Sequence, residues 1–321
     1  MCQSHPFPQA DALAVSTGLI ADLARRGQVR VLTLKGRVSD HHAIRSPRTS
    51  ADADVWVDPS RLNAYLAELA ACGWHERELS DTVHDLVQHS TTLIHPDWPC
   101  DIDVHWTFPG FLGDPQEVFD ELWRRHTTME IAAVEVPIVD RSAAILIQAL
   151  HALRTPAQTG RHAQEFRYLI DNVIPKMGAP ERQDLIDLAV ATGAVDTARP
   201  LLSQLGLELP PPTPSGVNPD LDRWRERTAG QGALTSQYWI LIRRSPWKDR
   251  PRLLARGIWP PERDLRLDHP EVAPGSRALT RARLARLGRG ARAFPAALRA
   301  QWRAKRGLTE ESFLKREGDK E

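Results

Sequence analysis

The chain has 321 residues, more than one minimal core needs, and suits a catalytic domain with helical additions. Hydrophobic residues make up 41% and charged residues 26%, the balance of an ordinary globular protein, which excludes wholesale disorder. A formal net charge of +1 excludes whole-molecule attraction to nucleic acid or anionic lipid, although ten Arg and Lys residues and no acidic residue fall between Val272 and Thr309.

In chain order, residues 9 to 26 place Leu13, Leu19, Ile20 and Leu23 at helical spacing, and Gly27 stops the helix. Val29 to Leu34 reads as a short buried strand closed by Lys35 and Gly36. Ala53 to Val57 is a second strand, broken at Asp58-Pro59. Ser60 to Ala71 reads as a helix with Ser60 as its cap and an apolar stripe of Leu62, Tyr65, Leu66 and Leu69. Three strand-like segments follow, Trp74 to Leu79, His84 to Ile94 and Ile102 to Phe108, with a turn at Pro96 to Pro99. A helix runs from Asp114-Pro115 to about Arg125, and Glu130 to Val139 is a final strand. From Ser142 to about Leu207 the pattern is helical. Glu208 to Pro219 holds five prolines and reads as a linker, and the remainder is helical in bias. The predicted organisation is a domain over 1–140, a helical domain over 141–207, a linker over 208–219 and a basic helical region over 220–321.

Cys2, Cys72 and Cys100 have neither disulfide-framework nor zinc spacing, and they fit a reducing cytosol. The first residues lack the basic start and apolar run of a signal peptide, and no apolar stretch approaches the roughly 20 residues of a membrane span. A soluble cytoplasmic protein is expected.

The chemistry concentrates in carboxylates. Asp52 and Asp54 open an apolar strand, and residues two apart on a strand share a face. Carboxylates held together repel and raise the pKa of one unless a cation neutralises them. Magnesium, a hard cation that joins one or two carboxylates to phosphates, suits the pair. In the second segment Asp101, Asp103 and His105 share one face, while Ile102, Val104 and Trp106 turn to a core. Side by side, the two strands would gather enough carboxylates for two cations about 3.5–4 Å apart, the arrangement of in-line phosphoryl displacement. A lone Asp-x-Asp is more often a turn or cap, and Asp101 after Pro99-Cys100 suits a turn cap as well.

Leu34-Lys35-Gly36, followed twelve residues on by Arg48-x-x-x-Asp52-x-Asp54 and then by Ile102-Asp103-Val104-His105-Trp106, resembles an uncharacterised nucleotidyltransferase family akin to the DNA polymerase beta superfamily. Leu150-His151, Arg167-x-x-x-Asp171 and the segment from Trp259 to Pro270 extend the likeness to roughly residues 30 to 295. The resemblance implies an α/β (α+β) fold: a mixed sheet flanked by helices, then a mainly helical C-terminal half. It implies Asp52, Asp54 and Asp103 as catalytic and metal-binding residues, with Asp101 as a further metal ligand, and Mg2+ or Mn2+ as the cofactor. It implies a nucleoside triphosphate, ATP among the candidates, held by Lys35, Gly36, Arg37 and Arg48, with His105 and His151 toward phosphate or acceptor. The family's usual Gly-Ser turn is Lys35-Gly36-Arg37 here.

The expected reaction moves a nucleoside monophosphate to an unidentified acceptor, which could be a small molecule, peptide, protein or RNA. It requires Asp103 to face the Asp52/Asp54 pair, with no buried basic side chain filling the space between them. Two alternatives are a catalytically silent binding module, favoured by the missing Gly-Ser turn, and a nucleic-acid-binding protein acting through the basic C-terminal region. There, Gly288, Gly290 and Pro295 predict an interrupted helix. The many scattered Trp residues and the pair His41-His42 read as core and turn residues.

Overall fold

A computed structural model describes residues 8–86, 89–154, 160–229 and 234–305. Cys2, the N-terminal leader reading, Arg306 and the last dozen residues, expected to fray, lie outside that set. The chain divides into two compact units, Met1–Arg77 with His89–Leu153 and Ala163–Pro212, and Glu78–Gln88 with Arg154–His162 and Thr213–Glu321.

The first unit is built on a mixed seven-stranded sheet. Helix α1 (Gln9–Arg26) precedes strand β1 (Val31–Leu34), the short helix α2 (Gly36–His41), strand β2 (Asp52–Val57), helix α3 (Leu62–Ala71) and the two-residue strand β3 (His75–Glu76). A one-turn helix, α4 (Asp81–His84), belongs to the second unit. Strands β4 (Ser90–Ile94) and β5 (Asp101–His105), helix α5 (Pro115–Arg124) and strands β6 (Thr127–Ile131) and β7 (Val134–Ile138) complete the sheet, in the order β3-β4-β5-β2-β1-β7-β6. β2 runs antiparallel to β1 and parallel to β5. β1 is parallel to β7, and the remaining pairs are antiparallel.

Alternation along β2 and β5 sorts the two faces. Ala53, Val55, Val57, Ile102 and Val104 join the main core with Ile20 of α1 and with Tyr65 and Leu69 of α3. Fully burying a Val, Leu or Ile side chain of this kind stabilises by about 1.5–3 kcal/mol. The Tyr65 hydroxyl donates to the Ile20 carbonyl at 2.8 Å, tying α3 to α1 and satisfying a buried polar group. On the other face Trp56 packs against Phe108 and Phe111.

Helix α6 (Arg141–Arg154) is buried along nearly its whole length. It is followed by α7 (Gly160–Tyr168), a π turn over Leu169–Val173, α8 (Ala179–Ala191) and α9 (Arg199–Leu202). In the second unit, α10 (Pro219–Ala229), α11 (Leu234–Arg244), α12 (Arg250–Ile258), α13 (Glu262–Asp268) and α14 (Ser276–Lys305) surround a small core of Tyr238, Ile242 and Leu253, joined by Leu86 and Leu241. Arg256 pins α4 to α12 through Asp81 at 2.7 Å and Asp85 at 3.1 Å. Among the described residues no helix is long and apolar enough to cross a membrane.

Four expectations need correction. Glu130 to Val139 is not one strand but the hairpin β6–β7, because Ala132 and Ala133 turn the chain with φ of 51° and 61°. The stretch from His84 to Ile94 is not all strand. Ser80 caps α4 by accepting from the Val83 amide at 3.4 Å, and β4 begins only at Ser90. Asp58, not Ser60, caps the turn leading into α3, accepting from the Ser60 amide at 3.0 Å. Gly288, Gly290 and Pro295 do not interrupt α14. An interior proline costs about 3 kcal/mol, which the packing of α14 on α10 and α11 can offset, and α14 also buries Leu279 and Ala297.

Candidate metal centre

The parallel register of β2 and β5 sets Asp52 opposite Asp101 and Asp54 opposite Asp103. Neighbouring strands lie about 4.8 Å apart, so two carboxylates on one face at matched positions are forced together. Asp54, Asp103 and His105 each bring a ligand atom within 4.8 Å of the others. Asp103 therefore lies against Asp54 of β2. The tight trio is Asp54, Asp103 and His105, with Asp52 at its edge.

Asp54 lies at the bottom, buried, and its Oδ1 receives two partners: Lys35 Nζ at 2.7 Å and His105 Nε2 at 3.1 Å. Burial pushes the Asp54 carboxyl up, but the Lys35 ammonium and His105 outweigh it and hold the group well below the usual carboxylate range. Asp103 goes the other way. Burial, then the neighbouring Asp54 charge, pushes it up to about 6, against a lowering bond from Thr92, whose hydroxyl donates to Asp103 Oδ1 at 2.6 Å. Asp52 is raised as well, by burial and by Asp54. Such opposed shifts within one cluster mark functional sites more often than ordinary surface.

Lys35, between β1 and α2, has a conformation few non-glycine residues adopt, with φ of 47° and ψ of −149°. Its ammonium also stands 5.3 Å from the centre of the Phe108 ring. Gly36 follows at φ of +45°, and a Cβ there would stand 3.3 Å from Ser50 Oγ, so the chain needs glycine for conformation and for space. Strain at the mouth of a carboxylate cluster is typical of residues held for function rather than stability.

The remaining candidates are spread out. Arg37 donates to the Ala10 carbonyl at 3.2 Å, toward α1. Arg48 pairs with Glu165 at 2.9 Å, and Gln148 also donates to Glu165, at 3.0 Å. Asp101 pairs with Arg77 at 2.6 Å, outside the trio. His151 lies on α6 beside Glu165, and not in the Asp54 cluster. His42, in the turn after α2, meets the Val139 carbonyl at 2.9 Å through Nε2.

Two participants had escaped the sequence. Thr92 faces Asp103 only through the antiparallel register of β4 and β5, which the overlong strand from His84 obscured. Buried Arg45 reaches Asp40 at 2.8 Å, the Arg48 carbonyl at 3.1 Å and Ser50 at 3.4 Å, shaping the loop before β2. A lone Arg in a polar loop carries no periodic signal.

The residues fit a hard divalent cation. Asp52, Asp54 and Asp103 crowd together with the Lys35 ammonium, and burial and then the Asp54 charge keep Asp103 raised despite that lysine. The cluster offers carboxylate oxygens beside one imidazole, and hard divalent cations favour such oxygen donors.

No protein-family model matches the sequence, and no curated protein matches it. Among solved structures, the chain is similar to the antibiotic-resistance factor ANT(2'')-Ia, with 15% identity and a TM-score of 0.38 over 60% of this chain and 94% of that one. It is also similar to an antigenic nucleotidyltransferase-like protein from Paracoccidioides brasiliensis, with 15% identity and a TM-score of 0.38 over 63% and 95% of the two chains. Likenesses this distant carry no functional argument, which leaves the geometry of the carboxylate cluster to do so.

Proposed function

We propose that the chain is a nucleotidyltransferase whose catalytic domain spans residues 1–140 and whose centre is Asp52, Asp54 and Asp103. The observation that carries this is the meeting of Asp54 and Asp103 across two parallel strands, with Asp103 raised to about 6 by burial and by its neighbour. Asp52 and Asp54 would hold Mg2+ or Mn2+, together with Asp103. Such a cation would neutralise developing charge on the phosphoryl oxygens.

The protein's own groups supply the rest. Lys35, held on Asp54 and over Phe108, is positioned as a fixed positive charge for a nucleotide phosphate. Asp103, largely ionised above pH 6, takes the proton of an acceptor hydroxyl as that oxygen attacks the α-phosphorus. The bond to the bridging oxygen breaks, and its electrons leave with pyrophosphate. Thr92 orients the carboxylate by donating to its other-strand face.

A second reading is favoured by the same Lys35. Its side chain is only 16% exposed and its ammonium already sits on Asp54 Oδ1, where the sequence required no basic side chain. In a catalytically silent module the lysine replaces the cation, and nucleotide binds without being turned over.

Incubation of the full chain with α-labelled nucleoside triphosphates, Mg2+ and separated small-molecule, RNA and protein acceptor pools tests both readings. Transfer of label with release of pyrophosphate, lost in Asp52→Asn and Asp103→Asn, supports the enzyme. Calorimetric binding of nucleotide with no release in any pool supports the module. Undiminished transfer in Asp103→Asn rejects the mechanism.

A further inference from the structure

The helical unit contains a cavity of about 800 Å3 between α11, α12 and α14, with Thr82 of α4 in one wall. Small-molecule pockets run from about 300 to 1,000 Å3. Trp239, Ile242 and Phe294 form apolar walls, and Trp239 and Phe294 meet edge to face at 5.2 Å. Leu234, Leu254 and Ile258 of the same wall are 48%, 41% and 51% exposed. Partly exposed apolar side chains clustered in a concavity mark a surface made to receive something.

Two polar atoms point the same way. Thr82 is 1% exposed, and its Oγ1 has no hydrogen-bond partner among the described residues. Trp239 Nε1 is likewise buried and without a partner among them. A buried polar group left unmade costs about 1–3 kcal/mol, so this wall of the cavity is not packed for stability alone.

The cavity is also cationic at one side. Arg286 and Arg289 line it. Arg286 Nη1 donates to the Gly257 carbonyl at 3.0 Å, and Arg289 Nη2 meets His269 Nε2 at 3.3 Å. Neither guanidinium has a carboxylate within ion-pair distance among the described residues, whereas Arg256 and Arg266 of the same unit do. A guanidinium with free donors beside an apolar wall is built for an anionic head group.

We propose that this cavity binds an amphipathic anion, its apolar body along Trp239, Leu254, Ile258 and Phe294 and its carboxylate or phosphate head on Arg286 and Arg289. The proposal is independent of nucleotide transfer. Calorimetry of the full chain with dodecanoate, dodecyl phosphate and dodecyltrimethylammonium, each below its micelle concentration, tests it. Saturable one-to-one binding of either anion, with the two affinities telling carboxylate from phosphate, and at least tenfold weaker binding of the cation, is expected. Arg286→Gln with Arg289→Gln should weaken the anion at least tenfold. Ala291→Trp, which fills the cavity, should abolish binding with helical content unchanged by circular dichroism; should that variant misfold, the double arginine variant decides alone. Equal binding of cation and anion, no saturable heat with either anion, or an unchanged affinity in the double variant overturns the proposal. So does a concentration-dependent dimer in sedimentation that Ala291→Trp dissolves, because the wall is then an interface between copies.

Discussion

Asp103→Asn tests the electrostatics of the cluster without touching its shape. The amide keeps the oxygen to which Thr92 donates and removes the charge. With its carboxyl raised from 3.8 to about 6, Asp103 binds its proton more tightly folded than unfolded. Stability is unaffected by this group below about pH 4, falls as pH rises from about 4 to about 6, and stays lowered above. About two units at 1.36 kcal/mol each give roughly 3 kcal/mol at neutral pH, and about 2 kcal/mol after allowance for partial solvation. The charge-free variant should therefore be more stable than the parent by about 2 kcal/mol at pH 7.5 in chelator, and indistinguishable from it at pH 4. Urea denaturation followed by tryptophan fluorescence reads both values. Magnesium should stabilise the parent, by about 2.7 kcal/mol at one hundred times its dissociation constant, and the variant much less. A variant destabilised at pH 7.5, or one whose advantage persists unchanged at pH 4, would refute the claim that Asp54 and burial load Asp103.

Other consequences are separable. Thr92→Val removes the one hydrogen bond that lowers the Asp103 pKa, so the midpoint of that pH-dependent loss should move up, read by the same titration. Lys35→Met should weaken nucleotide binding at least tenfold while tightening Mn2+, followed by Mn2+ relaxation enhancement; weaker Mn2+ would show that Lys35 and the cation do not compete. Ala132→Asn with Ala133→Gly, placing residues that tolerate positive φ in the β6–β7 turn, should raise stability by about 1 kcal/mol in thermal melts. Tyr65→Phe should cost about 1 kcal/mol in the same assay, because the Ile20 carbonyl loses its donor.

The sequence was legible where periodicity and chemistry coincided. Asp52 and Asp54 stand two apart on a strand, as do Asp103 and His105, so each pair had to share a face, and the structure turns both faces the same way. The register that joins them was not written in either strand. It follows from β1 and β2 pairing antiparallel, which frees the far edge of β2 for β5. Local signals failed for local reasons. Two alanines at positive φ carry no turn signature, six residues are too few to show a helical period in α2, and the Pro295 break is overridden by tertiary packing. Ion pairs such as Lys35 with Asp54, Arg48 with Glu165 and Arg77 with Asp101 span 19, 117 and 24 residues. No spacing rule reaches that far.

Lys35 is the residue on which enzyme and module part, and charge decides what it permits. A single ammonium on Asp54 Oδ1 compensates one of three carboxylates, yet Asp103 remains raised and Asp52 with it. The lysine therefore leaves the cluster short of positive charge rather than saturated. A divalent ion in the same place interacts with each carboxylate twice as strongly as a monovalent one at equal distance. Its gain grows with every carboxylate within reach, whereas the ammonium offers three donors at the end of one stem. Lys35 is also tied to Phe108 and to a strained backbone, so on yielding Asp54 it has little freedom to leave the mouth of the site. If Asp54 were to hold a divalent cation, Lys35 would be released from its role as counter-ion and would be left as a positive charge at the site for a phosphate.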